Sequence, residues 1–572
     1  MRVPKFLLLL TALNLPSVLS SQSAFNYPPV DNEPSLPPNS YKFEWPIRRV
    51  AIIGAGVGGM IAYRELQTAG LKPHLFERDS QSGGTWHYTE QTPLNPPIPN
   101  APISTADFEP SLPPRGVQLP YVEEYDNQTL CALQRREHRA PKAVWYNLIT
   151  NTPAPIQQIR GFPWPDGTEW AVSRSKVNRY LQAFASWLGI NTNDNNPSIS
   201  YNTRVELIEK RLDSTGKHIG WTLTTKRLEE MGGGLNRATW NKEEFDAVVV
   251  VSGRWNAPNV PAIEGLEAWS KQFPDNILHS RQYRHPEDYA GKNVLIVGAS
   301  ASGSQISPEI SRHAAKVYQS VRPDPYATQR PTIIDWVRQV PLNTTLIAEI
   351  KHFHPPNQTI HDSTIELVDG SILRDINYIL FATGFRYSYP FLPEYHNPAL
   401  GRTDEAPVDG LQPIVTDGSH LRSLHLDTFY INNPTLAFVN ANKVISAFTY
   451  AEFQALAISM VWAGKAHLPA RDEMWRWYQK RVEESGGYGK YFSSLGKREA
   501  QMRRFFQGWL NAAAAKYGGR QIDGLSFESS EIHTLWNRAF FGDSWLVRDV
   551  TIPGAENSGY EAGFAAAVND DW

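Results

Sequence analysis

Two glycine-rich turns carry the clearest chemical signal in this sequence. They are Gly54-Ala55-Gly56-Val57-Gly58-Gly59 and Gly298-Ala299-Ser300-Ala301-Ser302-Gly303. Glycines at such spacing allow a tight turn, a close approach of the backbone to a diphosphate, and close packing of the next helix on the preceding strand. The free N–H groups at the start of that helix then face the phosphates. Two such turns on one chain predict two bound dinucleotides and therefore electron transfer between them.

The first turn stands in the context that a dinucleotide site requires. The apolar run at Arg49–Ile53 predicts a buried parallel strand, and residues 60–69 predict a helix that ends at Gly70. A second short strand, at residues 73–76, ends at Glu77, whose carboxylate can accept hydrogen bonds from both hydroxyls of an adenosine ribose. Strand, turn, helix, strand and acid therefore follow in the order of a nucleotide-binding unit.

The second turn has Ser300 where the second glycine of the pattern would stand. Residues 292–297 predict the preceding strand, and residues 305–314 predict the following helix. No acid closes the next predicted strand, where Ser320 and Arg322 stand instead. Their hydroxyl and guanidinium donors suit the 2′-phosphate of NADP better than the bare ribose of NAD. We therefore predict that NADP binds at this turn. The serine at position 300 leaves open the alternative that the turn no longer binds a nucleotide.

The residues after Glu77 indicate which dinucleotide the first turn binds. Arg78 leads to the segment Gly83-Gly84-Thr85-Trp86, in which the glycines permit close approach to a phosphate arm and Trp86 supplies a flat apolar wall. This stretch resembles the Glu-Arg…Gly-Gly-x-Trp segment that follows the ribose acid in FAD enzymes of the flavin-containing monooxygenase family. The resemblance implies FAD at the first turn.

Further segments resemble the same family in the same order, over most of residues 48–460. Residues 273–283 are similar to its signature Phe-x-Gly-x-x-x-His-x-x-x-Tyr/Phe, although Asp275 replaces the glycine. Residues 381–385 resemble its Ala-Thr-Gly segment, which returns the chain from the NADP domain to the FAD domain. Residues 450–455 resemble its Glu-x-Gln-Ala helix start.

Asn151 is the predicted catalytic residue. It lies in residues 145–153, which resemble the family's Leu-x-Thr-Asn-x-Pro stretch, whose asparagine contacts the flavin and the bound nicotinamide. A flavin hydroperoxide must be shielded from water and hydrogen-bonded until the substrate arrives. An amide can donate a hydrogen bond to the peroxide without transferring a proton to it. The family's Lys-x-x-Met after this proline is missing, which leaves the geometry of the loop open.

These patterns predict an α/β fold with two dinucleotide-binding, Rossmann-like domains, the NADP domain being inserted in the FAD domain. The predicted segments are a signal peptide at 1–20, a Pro-rich linker at 21–45, the first part of the FAD domain at 46–268, the NADP domain at 269–388, and the second part of the FAD domain with a helical, aromatic tail at 389–572. A Pro-rich excursion at 91–141 is expected to form a lid or an extra lobe. The predicted cofactor contacts are Gly54, Ala55, Gly56, Gly58, Gly59, Glu77, Arg78, Gly84, Thr85, Trp86, Asn151, Val205, Thr383, Gln454, Tyr283, Gly298, Ser300, Ser302, Gly303, Ser320 and Arg322.

The resemblance implies an NADPH-dependent monooxygenase that oxygenates a soft nucleophile, nitrogen or sulfur, of a small molecule through a C4a-hydroperoxyflavin. Tyr283 stands where the related Baeyer–Villiger signature has tryptophan, so ketone oxygenation is the less favoured alternative. A secretory FAD oxidase, reduced directly by its substrate and producing hydrogen peroxide, is another alternative, and a non-catalytic binding protein is a more distant one. Cys131 is the only cysteine, which excludes an intrachain dithiol relay.

Composition and the N-terminal sequence indicate the class of the protein and its cellular location. The 572 residues, of which 41% are hydrophobic and 20% charged, with a net charge of −3, are typical of a globular protein without nucleic-acid partners. Residues 1–20 have the basic start, apolar stretch and small-residue cleavage site of a secretory signal, and they are too short for a secure membrane span. Three sequons, at Asn127, Asn343 and Asn357, fit that route. We therefore predict a secreted or lumenal glycoprotein with a specialised biosynthetic role, or a membrane-anchored one if the signal stays uncleaved.

Overall fold

The computed structural model describes residues 39–322, 340–407, 410–489, 492–496 and 498–523. The predicted signal peptide, residues 21–38 of the predicted linker, and residues 524–572 of the tail lie outside the described residues. Among the described residues, no helix combines the length and the apolar character needed to cross a bilayer.

The helices and strands of the described residues are numbered in chain order. The α-helices are α1 (Val57–Thr68), α2 (Gln128–Arg139), α3 (Arg174–Trp187), α4 (Leu266–Gln272), α5 (Ala301–Ile310), α6 (Ala447–Trp462), α7 (Arg471–Glu484) and α8 (Arg498–Tyr517). The strands are β1 (Arg49–Ile53), β2 (Lys72–Phe76), β3 (Tyr121–Tyr125), β4 (Ile199–Ser200), β5 (Thr203–Leu212), β6 (His218–Glu230), β7 (Asn236–Phe245), β8 (Ala247–Val250), β9 (Ile277–His279), β10 (Asn293–Val297), β11 (Lys316–Ser320), β12 (Thr345–Ile347), β13 (Ile350–Phe353), β14 (Ile365–Leu367), β15 (Ile372–Leu373), β16 (Tyr378–Phe381), β17 (Leu424–His425), β18 (Phe429–Tyr430) and β19 (Leu436–Phe438).

A seven-stranded sheet carries the first glycine turn. Its spatial order is β17-β18-β19-β8-β1-β2-β4, and β1 lies near the centre, paired in parallel with both β2 and β8. Four of the five residues of β1 are buried, as expected for an apolar run in a parallel sheet. Helix α1 follows directly and shares one hydrophobic core with α6 and α8.

A five-stranded parallel sheet, in the order β12-β11-β10-β16-β9, carries the second glycine turn. Its strands come from one continuous stretch, which lies in the sequence between β8 and β17 of the first sheet. The predicted fold class, two Rossmann-like units with the second inserted in the first, is confirmed. The helix predicted over residues 305–314 was wrong by four residues, because the turn leads without a break into α5 at Ala301.

The small meander predicted around residues 205–226 is part of a four-stranded antiparallel sheet in the order β3-β7-β6-β5. The excursion at 91–141 supplies its edge strand β3 and the helix α2 beside it. Asn236 at the start of β7 fixes α2, because its Nδ2 donates to the carbonyl of Cys131, 2.9 Å away. Part of the excursion is therefore an extra lobe on the meander.

The described part of the C-terminal tail packs against the first sheet's helices. Helices α7 and α8 lie in the same hydrophobic core as α1 and α6. The Arg520 guanidinium pairs with the Glu65 carboxylate of α1 at 2.9 Å, and the backbone N–H of Ser446, before α6, donates to Glu499 of α8 at 2.9 Å. The tail thus completes the core of the first unit.

Candidate functional site

The first glycine turn is held tightly at two of its glycines. Gly54 has a φ of +108°, and a Cβ there would stand 2.6 Å from the carbonyl oxygen of Val251. A Cβ at Gly59 would stand 1.9 Å from the carbonyl oxygen of Gly54. Gly56, at the start of α1, is different, because a Cβ there would meet only Gly84, at 3.7 Å. The outer side of Gly56 is therefore free of side chains, as a diphosphate site requires.

The segment Gly83–Trp86 crosses over this turn. The backbone N–H of Gly83 donates to the carbonyl of Ala55 at 2.9 Å. Residues Gly84–Trp86 form a 3-10 turn, and the half-buried Trp86 packs against the core that contains α1. The structure therefore brings together the two segments that the sequence assigned to one FAD site. A Cβ at Gly58 would stand 2.9 Å from the side chain of Val251, so this glycine serves packing.

Glu77 is buried at the end of β2 and turned towards the first glycine turn. One carboxylate oxygen accepts from the N–H of Ala55 at 2.7 Å, and the other accepts from the N–H of Asp79 at 2.9 Å. Each oxygen of an ionised carboxylate can accept more than one hydrogen bond, so ribose hydroxyls fit beside these contacts. The neighbouring Arg78 is directed elsewhere and pairs with Asp107 of the excursion at 3.2 Å.

Asp79 is a buried charge near this site that sequence reasoning missed. Lys142, which follows the excursion, lies 3.5 Å from its carboxylate, and His87 Nδ1 lies 2.8 Å away. Burial alone would raise the pKa of Asp79, but the charge of Lys142 and the hydrogen bond from His87 outweigh it and hold that pKa below its usual range. Asp79 thus ties the end of the excursion to the strand that carries Glu77.

Val205 lies on β5 beside the end of β2. The N–H of Thr203 donates to the carbonyl of Glu77 at 2.8 Å, which aligns the two strands. The side chain of Val205 is buried in a hydrophobic cluster with Phe76. Only the backbone of Val205 therefore remains for the predicted cofactor contact.

The second glycine turn repeats the geometry of the first. Gly298 has a φ of +101°, and a Cβ there would stand 2.8 Å from the carbonyl oxygen of Ala382 and 3.8 Å from Thr383 Cγ2. A Cβ at Gly303 would stand 2.1 Å from the carbonyl oxygen of Gly298. Ser300 is the N-cap of α5 and is exposed, with an ordinary extended conformation (φ −86°, ψ −168°). A serine is therefore accommodated without strain where the pattern has glycine.

The two donors predicted for a 2′-phosphate are not equivalent. The hydroxyl of Ser320 is buried and donates to the carbonyl oxygen of Ala348 at 3.0 Å. The prediction that it offers a donor to the nucleotide is therefore not supported by its position. The side chain of Arg322 is 68% exposed, and its Nη1 lies 3.6 Å from a carboxylate oxygen of Glu349. Such an exposed pair is weak, so Arg322 can exchange Glu349 for a phosphate. Ser302, half-buried on the first turn of α5, lies between Ser300 and Gly303.

At three other residues predicted to contact a cofactor, the side chain forms hydrogen bonds to other groups of the protein. The hydroxyl of Thr383 donates to the carbonyl of Asn259. The buried amide of Gln454 accepts from the N–H of Asn440 at 2.9 Å and donates to a hydroxyl of Thr428 at 3.0 Å. The buried hydroxyl of Tyr283 donates to Glu309, 2.8 Å away. These side chains fix the loops around the site and do not point into open space.

Asn151 is exposed on a loop that is firmly held on both sides. The N–H of Thr150 donates to the carbonyl of Val172 at 2.9 Å, and the N–H of Ala154 donates to the carbonyl of Trp170 at 3.0 Å. The amide of Asn151 therefore stands on a short, supported bend, which suits a group that must hold its position next to a reacting atom.

Comparison with known proteins agrees with these two turns. A family model described as flavin-binding monooxygenase-like matches residues 129–353, and one described as an NAD(P)-binding Rossmann-like domain matches residues 52–104. The chain is 50% identical to the flavin-containing monooxygenase iboF of Amanita muscaria over 84% of this chain and 91% of that protein.

Two more distant matches extend the comparison. The chain is 24% identical to senecionine N-oxygenase of Tyria jacobaeae over 76% of each protein. The solved structure of S-allyl-L-cysteine S-oxygenase from Allium sativum is 22% identical, with a TM-score of 0.58 over 91% of this chain and 98% of that one. At this identity the structural match shows the shared fold.

Proposed function

This chain belongs to the flavin-containing monooxygenase family, and we propose that it uses NADPH and O2 to oxygenate a nitrogen or sulfur atom of a small molecule. It is an oxidoreductase whose cofactors are FAD and NADPH. The observation that carries the proposal is the pair of equivalent turns at Gly54 and Gly298. In the first turn no side chain lies within 4 Å of a Cβ placed on Gly56, and in the second turn Ser300 takes the corresponding position without backbone strain.

Each part of the chain has a defined task in the proposed reaction. The N-terminus of α1 receives the diphosphate of FAD and Glu77 the ribose, while the N-terminus of α5 and Arg322 receive NADPH. When bound, FAD would supply the redox chemistry, which is hydride acceptance from NADPH and activation of O2. One oxygen atom enters the substrate and the other leaves as water, with NADP⁺ as the second product. The amide of Asn151 donates a hydrogen bond at the reacting centre.

A soft nucleophile as substrate explains why the site needs no general base. Nitrogen and sulfur lone pairs attack an electrophilic oxygen directly, so no general base has to activate the substrate. The names of an N-oxygenase and an S-oxygenase among the similar proteins support this substrate class. Carbon oxygenation of a ketone would require a different first step, and Tyr283 gives it no support because its hydroxyl is buried against Glu309.

The test is reduction followed by product analysis. Mixed with NADPH without oxygen, the purified flavoprotein should lose its oxidised flavin absorbance. With O2 and a panel of amines and thioethers, mass spectrometry should find products that gained one oxygen atom. A flavin that NADPH does not reduce would refute the proposal, and hydrogen peroxide formed from substrate without NADPH would establish the oxidase instead. A lactone or ester formed from a ketone would establish the Baeyer–Villiger alternative.

We also propose that the protein enters the secretory pathway, and Asn127 supports this best among the three sequons. Asn127 and Thr129 are exposed, and the Asn127 side chain caps α2 through Oδ1, which accepts from the N–H of Leu130 at 3.0 Å. A glycan attaches to Nδ2 and leaves this cap intact. By contrast, the Nδ2 atoms of Asn343 and Asn357 donate to backbone carbonyls.

Expression in a secretory host tests this second proposal. We expect a mature chain that begins near Ser21 and a glycan on Asn127 that is lost in a Thr129→Ala variant. Peptide mass spectrometry after enzymatic deglycosylation measures both. An intact N-terminus without any glycan would refute secretion.

A further inference from the structure

A single carboxylate, Glu309, joins three separate segments beside the proposed site. It lies at the end of α5, and one of its oxygens accepts from the indole Nε1 of Trp145 at 2.8 Å. The other accepts from the hydroxyl of Tyr283 at 2.8 Å and, more weakly, from Nδ2 of Asn147 at 3.4 Å. The rings of Trp145 and Tyr283 also meet edge to face at 6.0 Å. Glu309 therefore connects α5 to the segment that leads to Asn151.

The position of Glu309 is unfavourable on local grounds. It occupies the last turn of α5, where the helix dipole disfavours a negative charge. The three donors offset this cost, since hydrogen bonds to an ionised group are stronger than those between neutral groups. Burial and the charge of Glu309 together raise the pKa of Tyr283, so its hydroxyl remains a donor at all physiological pH values.

The loop that carries Asn151 is anchored again at its other end. Glu452 on α6 is fully buried and accepts from the N–H of Arg160 at 2.8 Å, and the Arg160 Nε lies 3.2 Å from its second oxygen. Arg64 of α1 also donates to Glu452, at 2.9 Å. One carboxylate on the NADP-binding unit and one on the FAD-binding unit therefore hold the two ends of the loop.

We propose that Glu309 is a positioning residue that fixes Asn151 relative to the pyridine nucleotide. Helix α5 begins at the turn proposed to receive NADPH and carries Glu309 in its last turn, so the nucleotide and the Asn151 loop are attached to opposite ends of one helix. This inference rests on the proposed function. Its consequence is that loss of the hydrogen bond between Trp145 and Glu309 displaces Asn151 and leaves the reacting oxygen less protected.

Three variants test the proposal in the FAD-loaded enzyme: Glu309→Gln, Trp145→Phe and the double variant. We expect each single variant to form hydrogen peroxide from NADPH and O2, without substrate, about tenfold faster than the unchanged enzyme, because Asn151 is displaced. The double variant should be no faster than either single one, since both remove the same interaction. The KM for NADPH should change by less than about twofold, because Glu309 lies at the other end of α5 from the glycine turn.

Amide hydrogen exchange supplies a readout that does not depend on turnover. Exchange in residues 145–151 should accelerate about tenfold in Glu309→Gln, whereas residues 153–162, which Glu452 holds, should keep their rate. Glu267→Gln is the matched control, because Glu267 is exposed in the same unit and its carboxylate bonds only to Lys271 among the described residues. Unchanged exchange and peroxide formation, or additive effects in the double variant, would overturn the inference. A flavin that NADPH fails to reduce in the unchanged enzyme would refute the proposed function, while the exchange data would still decide on Glu309.

Discussion

Gly56 and Gly84 face each other across the first glycine turn so closely that a Cβ on Gly84 would stand 2.8 Å from the Cα of Gly56. The two residues belong to separate motifs, the turn before α1 and the segment after Glu77. Their contact closes one side of the FAD cradle with backbone alone. No side chain lies within 4 Å of a Cβ placed on Gly56, so the turn is not crowded by side chains there.

Replacing Gly84 should therefore weaken the binding of FAD. In Gly84→Ala the new methyl group must push the turn out of place, and we expect FAD retention to weaken at least about tenfold. The flavin-to-protein ratio after purification measures this. Gly216→Ala is the matched control, because Gly216 also has a positive φ, of +83°, but nothing lies within 4 Å of its added Cβ. Full flavin content in Gly84→Ala would contradict the described contact.

Ser300 provides a test of the second turn. Its backbone conformation suits any residue, so substitutions there change only the space beside the phosphates. We expect Ser300→Val to raise the KM for NADPH about tenfold without loss of FAD, and Ser300→Gly to stay within about twofold of the unchanged enzyme. Steady-state kinetics of NADPH oxidation measure both values. An unchanged KM in Ser300→Val would place NADPH elsewhere.

Arg322 should determine the preference of the enzyme for NADPH over NADH. Of the two predicted partners of the 2′-phosphate, Ser320 already donates to a buried carbonyl, whereas the Arg322 guanidinium is exposed. A charge-assisted hydrogen bond contributes about 1.5 to 3 kcal/mol. In Arg322→Ala we expect the KM for NADPH to rise at least about tenfold while the weaker use of NADH stays the same. Measuring flavin reduction with both nucleotides tests this. Equal losses for the two nucleotides would assign Arg322 a structural role only.

His279 makes stability depend on pH. Burial and the charge of Arg281 lower the pKa of His279 to about 3, and its Nδ1 accepts from the N–H of Arg281 while Nε2 donates to the carbonyl of Gly384. The unfolded chain binds a proton at this histidine below about pH 6.5, whereas the folded chain does so only near pH 3. The free energy of unfolding should therefore fall by about 1.4 kcal/mol per pH unit on acidification in this window because of His279 alone.

Urea unfolding between about pH 7 and pH 5 measures this slope. We expect a His279→Gln variant, whatever its stability at neutral pH, to lose less stability on acidification than the unchanged protein, by the contribution of one proton. Parallel curves for the two proteins would show that His279 titrates normally in the fold.

The nucleotide units were predictable because their determinants are local. The strand, turn and helix around Gly54 follow from apolar periodicity and glycine spacing within a few dozen residues. The same rules placed the start of α5 four residues too late, since a polar first turn of Ala, Ser and Gly shows no periodicity. Ser300 occupies the N-cap position of α5, but its side chain makes no capping hydrogen bond.

Side-chain partners that are distant in sequence were not predictable. The hydroxyl of Ser320 was expected to face the nucleotide, but Ala348 supplies a carbonyl from an adjacent stretch that no local pattern reveals. Glu309 was missed for the same reason, because Tyr283 reaches it from another part of the NADP-binding unit and Trp145 reaches it from the FAD-binding unit. A carboxylate in the last turn of a helix was the one signal that could have indicated it.

The insertion of one sheet within the other has a consequence for biosynthesis. All strands of the second sheet have been synthesised once Phe381 is added to the chain, whereas β17, β18 and β19 of the first sheet follow later. The nascent chain can therefore complete its NADP-binding sheet while the FAD-binding sheet still has an open edge at β8. The first sheet is thus the one that must wait for its final strands, and we expect it to bind FAD stably only after β19 has been synthesised.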